Sequence, residues 1–437
     1  MGKNDNYIIF FAIAGFVLLI LIIIILSFKA ILSREVSSPV NTVQTNSTIV
    51  ENTVEPTGVE EENNDFEMSF LKLENKKENI VYSPLSIKTA LKMLEEGANG
   101  KTKEEVANVI KGEDIIQYEP KEEKISFANG MFVRDTYAEN IKEEYKKTLE
   151  KYKAEIRVDS FENANNINEW IKEKTLGIIV NMIEDTAVQD PDLKLVLLNA
   201  LAIDLNWKIQ FDPTETHSRE FTLDDGSKIN AEMMSMDTNS LYIKYNNEHN
   251  VTAVSMELED VDDTVLEFIA IMPDEPLDEY IKEFDMKKLE DEISNLKDAS
   301  NSKREIEIVI PKFKYSYSLD FKNDLMKLGI NDAFSKDKAD LKGIADVIDN
   351  LYISEALHKA DVEFSETGIK AAAVTALFAR DESIMLKENP IEIVFDKPFI
   401  YFIRDSKNGE VWFVGTMYEP NKWENRQVPA EESIVNN

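Results

Sequence analysis

From Tyr7 to Phe28 the chain runs through twenty-two residues without a charge, YIIFFAIAGFVLLILIIIILSF. As a helix this run rises about 33 Å, enough to cross a bilayer. It continues through Ser27-Phe28-Lys29-Ala30 with no small-residue cleavage site, so it predicts an uncleaved anchor rather than a secretory signal. Residues 33 to 65 are instead rich in Ser, Thr, Asn and Glu and carry the glycosylation-type triplet Asn46-Ser47-Thr48. They predict an exposed, disordered stalk reaching ~30 Å. Lys29 and Arg34 follow the span while only Lys3 and the terminal amine precede it, a charge pattern leaning weakly against an external domain. Large domains translocate largely regardless of flanking charge, so the globular part is expected outside.

Beyond residue 65 helical and extended periodicities alternate. Ser83 supplies an N-cap and Pro84 a first-turn proline, Ile87, Ala90, Leu91 and Leu94 follow at helical spacing, and Gly97 stands where a left-handed cap belongs. Thr102 with Glu105 predicts a capping box for a second helix ending by Gly112, and a third is centred on Ile167, Trp170 and Ile171. The apolar runs Leu195 to Leu205 and Phe268 to Met272 predict strands buried on both faces, while Glu305 to Ile310 alternates. Between 391 and 417 Pro398 separates apolar runs, and a loop at Asp405 to Gly409 turns the chain into Val411 to Val414. Helices dominate the first third and strands the last, which predicts an α+β domain with largely antiparallel sheets.

Composition then removes whole classes of chemistry. The 437 residues include no cysteine and three histidines, so thiolate nucleophiles, disulfides and thiolate metal sites are excluded. A three-histidine zinc site would need His217, His249 and His358 together. With 49 basic and 83 acidic residues the net charge is −34, which repels phosphate backbones and excludes non-specific nucleic-acid binding. Gly-x-Ser-x-Gly, His-Glu-x-x-His and Gly-x-Gly-x-x-Gly are all missing. Gly97-Ala98-Asn99-Gly100-Lys101-Thr102 lacks the spacing of a phosphate loop and predicts a helix-helix turn; Met233, Met234 and Met236 predict core rather than a metal cluster.

Ser365 to Ala376 stands apart as a small-residue segment followed by the unpatterned stretch Ala379 to Asn389. An alanine run is usually helical, yet an extended reading also fits: Ile369, Ala371, Ala373, Thr375 and Leu377 face one way and Lys370 the other. Small uncharged inward side chains suit a chain exposed in one state and buried as a central strand in another.

In this light the chain resembles the serpins over roughly residues 66 to 422. The resemblance is carried by Asn79-Ile80-Val81-Tyr82-Ser83-Pro84-Leu85-Ser86, the Gly97 to Thr102 turn, Leu198-Asn199-Ala200, Trp207-Lys208, Phe211-Asp212-Pro213, Pro311-Lys312-Phe313, Leu328 to Phe334, His358-Lys359-Ala360, Glu366-Thr367-Gly368, Pro398-Phe399 and Gly415, in family order. It implies a fold of three β-sheets and eight or nine helices with an exposed reactive loop. It implies an inhibitor rather than an enzyme, a suicide substrate whose cleaved loop inserts into the main sheet while the protease stays covalently attached. No cofactor or metal is needed, the expected partner is a serine protease with cysteine proteases as the alternative class, and a monomer is expected.

By position, Ser83, Ser86, Asn199 and His358 match the family's polar cluster beneath the sheet opening, and Trp207 the tryptophan where the loop first enters. Locally each has a plainer reading: a cap for Ser83, a satisfied core histidine for His358, packing for Trp207. Glu366, Gly368 and Ile369 begin the hinge, and Ala371, Ala372, Ala373, Val374 and Thr375 resemble the inhibitory pattern, although Ile369 is larger than the family's usual Thr or Ser. Fourteen residues past the hinge glycine, the reactive bond is expected at Glu382-Ser383, with Arg380-Asp381 as the alternative. The expected organisation is a short tail over 1–6, a single transmembrane helix over 7–28 in the cell membrane, a linker over 29–65, an extracellular serpin domain over 66–422 and a tail over 423–437. The other functional reading is a non-inhibitory serpin acting as a binding module.

Overall fold

The computed structural model describes residues 65–112, 115–347, 351–369 and 389–420. The described residues form one compact unit. The predicted anchor, the linker to residue 64, the alanine segment from Ala371 to Thr375, both candidate reactive bonds and the C-terminal tail lie outside the described residues. Among those described, no helix is long and apolar enough to cross a membrane.

Three sheets carry the domain, as expected. The main sheet runs β3 (Ala154–Asp159), β2 (Ile125–Arg134), β4 (Leu195–Ile203), β14 (Glu355–Phe364), β15 (Gly368–Ile369) and β5 (Leu205–Asn206), with β13 (Phe313–Ser318) pairing β14 on its outer edge. A second sheet orders β1 (Val81–Tyr82), β18 (Val411–Met417), β17 (Phe399–Asp405), β10 (Leu266–Pro273), β9 (Val251–Glu257), β8 (Ile243–Asn246) and β11 (Lys297–Asp298). The third contains β16 (Ile391–Val394), β12 (Ile306–Pro311), β7 (Lys228–Thr238) and β6 (His217–Thr222). Every residue of β4 is buried, as its unbroken apolar run predicts, and Met233, Met234 and Met236 are core residues of β7. Nine α-helices are present among the described residues.

The helix Pro84–Gly97 is the central pillar, with eleven of its fourteen residues buried against β2, β4 and β18. Ser83 caps it, its Oγ accepting from the Ser86 N–H at 3.2 Å. Lys88 sits within this buried face and is neutralised by Glu67 and, at 3.7 Å, by Glu410. A second helix, Asn165–Lys174, lies on β2, where Gly130 makes room: a Cβ there would come 2.6 Å from the Trp170 indole.

Two local expectations are corrected. Gly97 is not left-handed; it is the last residue of its helix, and a Cβ there would meet the Ile344 side chain at 2.4 Å. Thr102 and Glu105 form no capping box, since the helix Gly100–Val109 begins earlier, at the N-cap Asn99. Their side chains are used on a neighbouring segment: Thr102 Oγ1 accepts from the Asp340 N–H at 3.0 Å, and Glu105 from the N–H groups of Asn331 and Asp332 at 2.8 and 2.7 Å.

Candidate functional site: an open strand position between two buried clusters

The parallel partners β4 and β14 pair only from Val196 with Glu355 to Asn199 with His358. Above that point, among the described residues, the facing edges of Ala200–Ile203 and Lys359–Glu363 have no partner on the side towards each other. At the far end the position is taken by β15, whose Ile369 pairs with Phe364 of β14 and with Leu205 of β5. The sheet therefore has one strand position closed at the bottom, filled by two residues at the top, and open over five residues of β14 between, roughly 15–20 Å.

The closed end is held by side chains. Nε2 of His358 accepts from the Ser83 N–H at 3.0 Å, Ser86 Oγ donates to Asn199 Oδ1, and Asn199 Nδ2 donates to Asn129 Oδ1 at 2.5 Å. Asn129, which the sequence reading missed, lies directly across from Asn199 and donates in turn to the Tyr152 carbonyl at 3.0 Å. All five side chains are buried, so every broken bond here would strand a polar group. Burial pushes His358 down to about 3, an effect the adjacent Asn199 backbone offsets only in part. Its accepting nitrogen requires the neutral ring.

The filled end is a second cluster. The turn Ser365 to Gly368 closes with the Ser365 N–H on the Gly368 carbonyl at 3.0 Å. Trp207 grips this turn twice, its indole N–H on the Ser365 carbonyl and its backbone N–H on the Thr367 carbonyl, both at 2.9 Å. Its ring packs edge-on against Phe364 at 5.1 Å. The Glu366 carboxylate accepts from Lys312 at 2.8 Å and from Thr216 at 2.9 Å. Thr216 was not singled out in the sequence, and Lys312 only as part of the family-like triplet Pro311-Lys312-Phe313, because neither has a local signal for a partner so distant along the chain. Gly368 approaches β5 so closely that a Cβ would stand 2.1 Å from the Leu205 carbonyl oxygen. Ile369 is 2% exposed, so its larger side chain is accommodated at this depth.

The structure thus brings Ser83, Ser86, Asn199 and His358 together and places Trp207 separately, with Glu366, Gly368 and Ile369. Charge on Glu366 helps seat the hinge. Glu366→Gln is expected to cost the hinge about 1 kcal/mol, read as roughly fivefold faster amide exchange at Ile369. Exchange unchanged from the parent would show that the Lys312 pair contributes nothing there.

A three-sheet α+β domain whose main sheet, among the described residues, leaves a strand position open beneath a seated hinge is the architecture expected of the serpins. The model of the family described as Serpin (serine protease inhibitor) matches residues 61–420, and the chain belongs to the serpin family. Among its relatives, mouse neuroserpin is 29% identical over 366 residues, covering 78% of this chain and 86% of that protein. An uncharacterised serpin-like protein of Methanosarcina mazei is 28% identical over 366 residues, covering 78% and 82%. Among solved structures, the thermophilic serpin tengpin in its native state matches with a TM-score of 0.68 at 29% identity, covering 85% of this chain and 97% of that one. Thyroxine-binding globulin in complex with thyroxine shares the fold with a TM-score of 0.67 at 23% identity, covering 82% and 98%. Serpins are in general inhibitors of proteases rather than enzymes.

Proposed function

We propose that this chain is a suicide-substrate inhibitor of serine proteases, with its serpin domain presented outside the cell on an N-terminal anchor. The observation that carries the reading is the seated hinge: Gly368 and Ile369 already occupy the top of the open strand position, in line with the segment that must follow them down. A protease attacking at Glu382-Ser383 would add its serine oxygen to the Glu382 carbonyl and expel the Ser383 amine, leaving an ester to the loop. The freed loop then continues from Ile369 between β4 and β14, pairing the edges of Ala200–Ile203 and Lys359–Glu363. Those backbone bonds, with burial of Ala371, Ala373 and Thr375, supply the driving force; the closed lower cluster supplies the barrier. The alanines favour this reading because each is buried at little entropic cost. The anchor reading rests on the uncharged run Tyr7 to Phe28.

Incubating the protein with a glutamyl-specific and a trypsin-like protease is expected to give a covalent complex near the summed mass on a denaturing gel. The protease that forms it distinguishes Glu382-Ser383 from Arg380-Asp381. Cleavage of the loop by every protease tried, with no complex, would replace this reading with a non-inhibitory binding module. Protease shaving of intact cells tests the external placement, which a fully protected domain would overturn.

A further inference from the structure

The chain contains two triplets of the form Asn-x-Ser/Thr, Asn46-Ser47-Thr48 in the linker and Asn250-Val251-Thr252 in the folded domain. The second lies where β8 turns into β9. His249 and Asn250 both have left-handed backbone, with φ of 61° and 64°, and the Val251 N–H reaches the Glu248 carbonyl at 3.4 Å, which makes a tight hairpin turn of the primed type. The turn is braced by Asn246, whose Oδ1 accepts from the Glu248 N–H at 3.2 Å and whose Nδ2 donates to the Glu248 carbonyl at 3.3 Å. The Asn250 carbonyl is committed to the Asp274 N–H at 2.8 Å. Its side chain is exposed and, among the described residues, makes no hydrogen bond. A fixed backbone thus offers a free carboxamide to solvent at the tip of a hairpin. Glycine or aspartate would satisfy the same turn, so turn geometry alone does not select Asn250 together with Thr252.

We infer that Asn250 is an acceptor for an N-linked oligosaccharide, a reading that rests on the external placement proposed above. The donor class is a polyisoprenyl-phosphate-linked oligosaccharide, used by a membrane-bound transferase on the side where the domain emerges. The Asn250 amide nitrogen attacks the anomeric carbon; a C–N bond forms, the anomeric C–O bond breaks, and the lipid phosphate leaves with that electron pair. The proton lost by the amide balances the charge of the departing phosphate. Thr252, two residues on in β9, supplies the hydroxyl that the triplet requires.

The position is compatible with inhibition. β9 runs from Asn250 towards Glu257 and Leu258, and these meet the hinge cluster: the Lys208 N–H donates to the Glu257 carbonyl at 3.0 Å and Trp207 bridges to Leu258. Seven strand residues separate the two ends, about 20 Å, so a glycan at Asn250 stands at the pole away from the hinge and leaves the approach of a protease free.

The test is peptide mass mapping of the full chain recovered from the membrane of its source cells, alongside Asn250→Gly and Thr252→Val variants. Asn250→Gly keeps a residue suited to positive φ, and Thr252→Val keeps a β-branched strand residue, so both should fold. The expected result is a glycan mass on the peptide containing Asn250, lost in both variants. Modification at Asn46 with bare Asn250 overturns this inference and leaves the external placement standing. Bare sites in a domain that shaving shows to be exposed overturn it too; bare sites in a protected domain overturn the placement with it.

Discussion

Lowering the pH from 7.5 to 5 will loosen the closed end of the main sheet by about 2 kcal/mol, and His358→Gln will abolish most of that loss. His358 is held down to about 3 by burial and must be neutral to accept from Ser83. Above the ordinary histidine value of about 6.5 the ring is neutral in closed and opened sheet alike, so pH has no purchase on it. Below 6.5 the opened form takes up a proton that the closed form refuses, and the closed form loses about 1.4 kcal/mol of relative stability per pH unit down to about pH 3. The readout is the rate of heat-induced polymerisation at a fixed temperature, expected to rise about tenfold or more between pH 7.5 and 5. Glutamine at 358 retains an acceptor for Ser83 without the titration, so its profile should be flat in that window. A parent profile equally flat would remove His358 from the latch.

One buried carboxyl works in the opposite sense. Asp324, on the helix Phe321–Lys327, is fully buried, and burial raises its pKa above the usual aspartate range. Stability from such a group is present at low pH and is lost as pH rises through the folded value. Acid therefore favours Asp324 itself while it weakens the latch at His358; the adjacent Glu74 carboxyl, lowered against its own burial by hydrogen bonds from Tyr317 and Lys76, shifts in the opposite direction to Asp324.

The elements were legible wherever a local period or an uninterrupted apolar run set them. Leu195 to Leu205 predicted a buried strand, realised as β4 up to Ile203 with Leu205 opening the separate β5, Trp170 predicted its helix, and Ser83-Pro84 a helix start that the structure reproduces. What failed locally failed because the partner was remote. Thr102 and Glu105 have the spacing of a capping box, yet backbone donors from the segment Asn331 to Asp340 claim both side chains. Gly97 was misread as a cap because the side chain that requires it, Ile344, lies far along the chain. Asn129 carries no signal on its own; only strand register sets it against Asn199. The latch and the hinge were reachable from sequence solely through the pattern shared with the family, since neither His358 nor Trp207 differs locally from an ordinary core residue. The open strand position between them is a property of pairing over long separations, which periodicity does not encode.

On the trapping mechanism proposed above, Gly368→Val should convert the protein from inhibitor to substrate. A Cβ at this position would stand 2.1 Å from the Leu205 oxygen and 2.7 Å from the Asn206 Cα, and both are backbone atoms of β5 that no rotamer change can move. The hinge must then leave the sheet, exposing Ile369 and giving up its pairing with Phe364 and Leu205. Loss of that burial alone is worth about 2 kcal/mol, and the separated strand pairs raise the total to about 2–4 kcal/mol. The larger consequence is kinetic. A loop inserting after cleavage has to begin from this same residue against this same strand, so the obstruction that unseats the hinge also delays the first step of insertion. Acyl-enzyme hydrolysis then wins the competition, because it needs no rearrangement of the sheet. On the denaturing gel, covalent complex should fall at least tenfold relative to the parent while cleaved chain accumulates at an undiminished rate. Retention of the parent's complex yield would mean that insertion starts below Gly368, and that the seating of the hinge at β5 is incidental to trapping.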